Sequence, residues 1–117
     1  MTTQQVANRL IELCKQGKIM DAQAELYADN IVSVEPSYAQ VPRAEGKNAV
    51  AEKGMQFASS ITEHHGMSIS EPIVNGNHFS IGWSMDVTMK NTGRMKMEEI
   101  CIYQMKDGKI VYEQFFY

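Results

Sequence analysis

Val6, Leu10, Leu13 and Cys14 recur three and four residues apart, the spacing of one helical face over residues 3–16. Gly17 follows as the expected stop. A second, shorter helix is predicted over residues 20–27, with Asp21 as an early acidic residue. Asp29-Asn30 reads as a turn, residues 31–34 as a short strand, and residues 36–45 as a polar loop holding two of the three prolines. A third helix begins near residues 46–48. Val50, Gly54, Phe57, Ala58 and Ile61 continue it at helical spacing, and His64-His65 lies at its end, before Gly66.

Beyond Gly66 the period falls to two. Strands are predicted over residues 67–74, 79–90, 94–106 and 109–117. The breaks are Asn75-Gly76-Asn77, Asn91-Thr92-Gly93 and Asp107-Gly108, each a hairpin signal. In the second strand Phe79, Ile81, Trp83, Met85, Val87 and Met89 share one face, which should turn towards the helices. Helices first and an antiparallel meander after them predict an α+β domain with helices on one face of a curved sheet. The opposite face is only half polar, because Ile100 and Ile102 sit beside Glu98, and such a face suits dimerisation.

At 117 residues the chain is read as one domain, residues 1–117, large enough for one core. Acidic residues outnumber basic ones by 14 to 11 and no basic run exists, so nucleic acid is not an expected partner. No apolar run is long enough to span a bilayer, so no membrane is expected either. The first residues lack a charged-then-apolar leader pattern, which makes the cytoplasm the expected location. Cys14 and Cys101 each sit on an apolar face and read as packing residues. Nine methionines read as core filling, as a pliable wall around an apolar ligand, or as both.

Acidic residues on apolar strands are the candidate chemistry. Glu99 shares a face with Met95, Met97, Cys101, Tyr103 and Met105, and Glu113 stands between Val111 and Phe115. A buried lone carboxylate is costly, so such a residue must be paired or line a cavity, and desolvation lifts its pKa towards the range of general acids and bases. With Glu35 these residues could converge on one cavity. The structural alternatives are a solvated loop residue for Glu35, a hydrogen bond to a neighbouring side chain for Glu99, and an ion pair with Arg94 or Lys96 for Glu113. Tyr103 could offer its hydroxyl to a ligand or to Glu99, while Trp83, Met85, Met97, Phe57 and Phe115 supply apolar lining. The loop from Tyr38 to Arg43 would hang over the mouth, with Arg43 able to meet an anionic group.

Adjacent His64 and His65 point to different sides of a helix and do not clamp a metal by themselves; at a helix end they would favour the dipole. His78 reads as surface. The chain has no HExxH, CxxC or GxSxG string and no glycine-rich loop opening a helix. No metal, cofactor or covalent nucleophile is expected.

Several strings resemble a known family. LYADNIVSVEP, from Leu26 to Pro36, is similar to the helix-to-strand corner of the nuclear transport factor 2-like superfamily. DGKIVYEQFFY, from Asp107 to Tyr117, resembles its closing strand, and GKNAVAEKG, from Gly46 to Gly54, its third helix. Within that superfamily the chain looks most like the SnoaL-like group, which includes polyketide cyclases. The resemblance implies a cone-shaped α+β fold, a cystatin-like roll whose curved antiparallel sheet packs on three N-terminal helices around a cavity, usually as a homodimer. In the ketosteroid isomerases a carboxylate just before proline at this corner is the general base, which carries that role to Glu35. Their two oxyanion donors would fall on Leu10 and near Cys101, so both are replaced here. SnoaL-like cyclases place an aspartate on the last strand, where this chain has Glu113-Gln114-Phe115. The expected function is a cofactor-free pocket for a small apolar or aromatic molecule, with carboxylate proton transfer of the isomerase or cyclase kind. The alternative is a non-catalytic ligand-binding or dimerisation module.

Overall fold

Thr2 opens the first helix. Its side chain accepts from Gln5 N and the Gln5 side chain accepts from Thr2 N, a capping box that satisfies two otherwise free backbone donors. The computed structural model describes residues 1–117. Its order is α1 (Thr3–Lys15), α2 (Ile19–Leu26), β1 (Tyr27–Val34), β2 (Arg43–Glu45), α3 (Lys47–Ser59), β3 (Ile61–Ile69), β4 (Ile73–Asn75), β5 (His78–Met89), β6 (Gly93–Lys106) and β7 (Lys109–Phe116). The stripe of α1 is buried at Val6, Ala7, Leu10, Ile11, Leu13 and Cys14. Gly17 follows with φ +74°, a left-handed conformation that glycine adopts without a Cβ clash.

The strands form one sheet in the order β2-β1-β7-β6-β5-β3, with β4 also on β5. The expected antiparallel meander forms from β3 and β4 through β5 and β6 to β7, and β1, which runs parallel to β7, makes the whole sheet mixed. A parallel pair needs a long crossover, and the whole chain between β1 and β7 supplies it. Helix α3 touches β1 and β2 at one end of the sheet and β3 at the other. The sheet curves around the helices. The core lies between this concave face and the helices, with Phe79, Ile81, Val87, Cys101, Tyr103, Met105 and Ile110 turned inwards.

Four local expectations need correction. The third helix ends at Ser59, and Ile61 opens β3, so His64 and His65 lie on a strand paired with β5 and not at a helix end. Ile61 keeps helical spacing with Phe57, but β-branched Ile61-Thr62 suits a pleated strand better. The predicted strand 67–74 is divided, because Pro72 cannot donate to a ladder and separates β3 from β4. Asp29-Asn30 lies inside β1, where its register on β7 shifts between Tyr27 and Val32. Arg43-Ala44-Glu45 is a strand on β1 and not part of a loop. The three predicted hairpin breaks all fall at strand junctions, with Asn75 closing β4 and Gly93 opening β6.

Candidate functional site

Alternation along β1 puts Ile31 and Ser33 on the buried face, and Glu35 follows them two residues on. Along β7 the same alternation aligns Glu113 and Phe115, with Tyr117 just beyond the strand. Ser33 lies opposite Glu113 across the parallel pair, and Tyr103 lies opposite Glu113 on the other side. Further along β6, Cys101 faces Phe115 and Glu99 faces Trp83. Helix α3 brings Lys53 over this part of the sheet.

These placements create a connected polar chain in the concave face. Glu113 is 2% exposed and accepts from the hydroxyl of Tyr27 and, at 2.7 Å, from Ser33 Oγ. Lys53 Nζ donates to Ser33 Oγ at 2.5 Å and to Glu35 Oε2 at 3.0 Å, and it stands 5.3 Å from the centre of the Phe115 ring. The Tyr117 hydroxyl donates to Glu35 Oε1 at 2.8 Å. The Tyr38 hydroxyl donates to the Tyr117 carbonyl, and the two rings meet edge-on at 6.0 Å. The loop expected to overhang the mouth therefore docks on Tyr117. Arg43 pairs with Glu45 at 3.1 Å on the surface.

Glu99 lies outside this hydrogen-bonded chain. Its Oε1 accepts from the Cys101 thiol at 3.4 Å. Burial pushes its carboxyl up to about 7; nearby Glu35 and Glu113 add to the rise, while the Cys101 hydrogen bond and Lys53 oppose it. Burial also raises Glu113, against the pull of Tyr27, Ser33 and Lys53. Tyr117 is raised by burial and by its bond to Glu35. A carboxyl that titrates near neutrality beside a held ammonium can both take and give a proton at ordinary pH.

Glu35 and Glu113 are joined through Lys53 and Ser33, and both act on Glu99 through their charge. Glu35 is not a loose loop residue, because its side chain is 16% exposed and doubly bonded. Glu113 makes no ion pair with Arg94 or Lys96, which bind Asp86 and Glu98 on the exposed face. Tyr103 is buried and stacks on Phe79 at 4.7 Å, which places it in the core. Trp83 and Phe115 pack partly buried against that core. Met85 and Met97 are half-buried and directly opposite each other, and Phe57 is exposed on α3. Trp83 Nε1 is buried without a hydrogen-bond partner. His65 Nε2 lies 2.7 Å from Thr88 Oγ1 and 3.9 Å from Glu63 Oε2, and it pairs with none of the three site glutamates. Two surface depressions, about 380 Å³ beside Met1 and Asp107 and about 240 Å³ beside Met67 and Met85, are lined by none of the three glutamates.

Lys53, Ser33, Tyr27 and Tyr117 complete the site without having been expected there. Ser33 and Tyr117 were signalled by alternation, since they share faces with Ile31 and with Glu113. A lysine on an amphipathic helix carries no comparable signal.

The sequence model of one family, described as the SnoaL-like domain, matches residues 1–117. No curated protein matches the chain. Among solved structures, a candidate SnoaL-like polyketide cyclase of Mesorhizobium loti, whose name also carries carbohydrate phosphatase, is 37% identical. It superposes with a TM-score of 0.94 over 100% of both chains. A cystatin-like protein of Xanthomonas campestris is 17% identical, with a TM-score of 0.84 over 99% of this chain and 90% of that one. A protein of Catenulispora acidiphila with a ketosteroid isomerase-like fold, solved with trimethylamine, is 16% identical, with a TM-score of 0.76 over 99% and 87%. The last two show the fold alone. No helix is long and apolar enough to cross a membrane.

Proposed function

This chain belongs to the SnoaL-like domain family, and from that premise we propose that it binds a small, largely apolar or aromatic molecule on its concave face and moves a proton on it through Glu99. The reaction class is that of a cofactor-free isomerase or cyclase. The observation that carries this reading is the environment of Glu99, a carboxyl lifted to about 7 on an otherwise apolar strand face. General acid–base work needs a group poised near the working pH. Glu35 holds Lys53 and Tyr117 in place beside it, and Glu113 tunes the site from behind through Ser33. Trp83, Met85, Met97, Phe57 and Phe115 supply the apolar lining.

The reading includes a cytoplasmic homodimer formed through the outer face of the sheet. Ile100 is 51% exposed and Phe116 46% exposed, and they lie directly opposite each other across β6 and β7. Contiguous exposed apolar patches mark contact surfaces, and this pair is the centre of the one we place here.

A thermal-shift screen against small hydrophobic and aromatic molecules, at pH 5 and pH 8, tests the ligand reading. Binding to the native state alone raises stability by mass action. The expected result is a shift that depends on pH in the wild type and loses that dependence in Glu99→Gln. No shift across a broad library would contradict it and leave a dimerisation module.

A further inference from the structure

Trp83 is the chain's one tryptophan, and its Nε1 is buried without a partner. An indole N–H is a donor only, so nothing but an acceptor can satisfy it. Buried donors in folded proteins are paired with few exceptions, and each exception asks for a reason. Here the surroundings supply one. Trp83 lies directly opposite Glu99 across the β5–β6 pair and opposite Ile69 across the β3–β5 pair. Side chains so placed share a face, with Cβ atoms about 4.5–5.5 Å apart. Glu99 Oε1 is occupied by the Cys101 thiol and not by the indole. The next rungs on this face, Met85 opposite Met97 and Cys101 opposite Phe115, are apolar. One rung therefore holds an unpartnered donor and a carboxyl, between apolar walls.

We infer that Trp83 Nε1–H and Glu99 together hold one hydroxyl group of a phenol or enol, whose oxygen accepts from the indole and whose proton is donated to the carboxylate. A hydroxyl is the smallest group that satisfies a donor and an acceptor through one oxygen. A hydroxyl on a planar sp² carbon is the more acidic kind and the better donor to a carboxylate. A flat body on that oxygen would meet the methionine thioethers and the Phe115 ring of the neighbouring rungs, groups that favour aromatic contacts. The inference rests on the reading that Glu99 meets the ligand, and it narrows the ligand to a hydroxylated aromatic or enolic compound.

Because the chain has a single tryptophan, a ¹⁵N-labelled sample gives a single indole cross-peak, that of Trp83. The full-length protein is titrated with 4-propylphenol and, separately, with propylbenzene, which has the same body without the hydroxyl. The phenol is expected to move the indole proton downfield as the hydrogen bond forms, and propylbenzene is not. Trp83→Phe keeps an aromatic ring and lacks the donor. It should weaken the phenol by about tenfold, the size of one hydrogen bond, while leaving propylbenzene nearly unchanged. Equal shifts from both molecules, or undiminished phenol binding by Trp83→Phe, would overturn the inference while leaving the role of Glu99 standing. Failure of 4-propylphenol to bind the wild type would also overturn it; the role of Glu99 is decided separately by its own titration, which needs no ligand.

Discussion

Ser33 Oγ donates to Glu113 at 2.7 Å across the parallel β1–β7 pair, joining residues 80 positions apart. The same oxygen accepts from Lys53 at 2.5 Å. Ser33 thus couples the buried carboxyl behind the site to the ammonium in front of it. Ser33→Ala leaves Glu113 with Tyr27 alone and Lys53 with Glu35 alone. We expect it to cost about 1–3 kcal/mol, the penalty for unpaired buried groups. Urea denaturation at pH 7 measures it, and a loss below about 0.5 kcal/mol, within the range of ordinary surface substitutions, would show that the link is not coupled.

Glu99 makes stability depend on pH. Its folded carboxyl titrates at about 7 and its unperturbed value is 4.5, so between these the native state holds a proton that the unfolded chain has released. Its contribution is therefore full below about pH 4.5 and is lost as pH rises towards 7. The size is on the order of 3 kcal/mol, at 1.36 kcal/mol per unit. Glu99→Gln does not titrate, and its loss of stability between pH 4 and pH 8 should be smaller than the wild type's by that amount. Glu113 is raised in the same direction, so the comparison reads the part of the pH dependence that belongs to Glu99 and its coupling to Glu113. Parallel stability curves for the two proteins would refute the assignment.

Lys53 is the cation that holds the site's carboxylates down. It lowers both Glu99 and Glu113, and it pairs with Glu35, whose side chain is 16% exposed. Lys53→Met should raise the Glu99 midpoint above 7 and cost about 2 kcal/mol at pH 7, because Glu35 is left with Tyr117 alone. Carboxyl ¹³C shifts and a denaturation curve read the two effects. An unmoved Glu99 midpoint would separate Lys53 from the site.

The outer face makes its own prediction. Ile100→Lys places a charge beside Phe116 on the exposed patch, where a surface substitution alters folding by only about 0.5 kcal/mol. Sedimentation should find the wild type dimeric and the variant monomeric at the same concentration. A monomeric wild type would remove the homodimer from the account.

The carboxylates were legible because period-two alternation exposes a charged residue on an apolar face wherever the strand is regular. Glu99 and Glu113 lie on β6 and β7, whose ends are set by Gly93 and by Asp107-Gly108, all with positive φ. Where two patterns overlap, alternation fails. Ile61 satisfies a helix that begins at Lys47 as well as a strand that pairs with β5, and only the ladder from Ile61 to Met89 decides between them. That choice moved His64 and His65 from a helix end to a strand. The parallel β1–β7 contact was hidden for a different reason. Strand neighbours so distant in sequence leave no local mark, so Ser33 could be placed on a buried face but not beside Glu113. Lys53 was hidden because a helix pattern records which face is buried, not what the flanking residues reach.

The titration of the Glu99 carboxyl tests the account most directly. Followed by ¹³C shifts in the wild type, with Glu99→Gln to assign the signal, the midpoint is predicted near 7. A midpoint near 4.5, the ordinary value, would mean that Glu99 is solvated and that the concave face holds no poised acid or base.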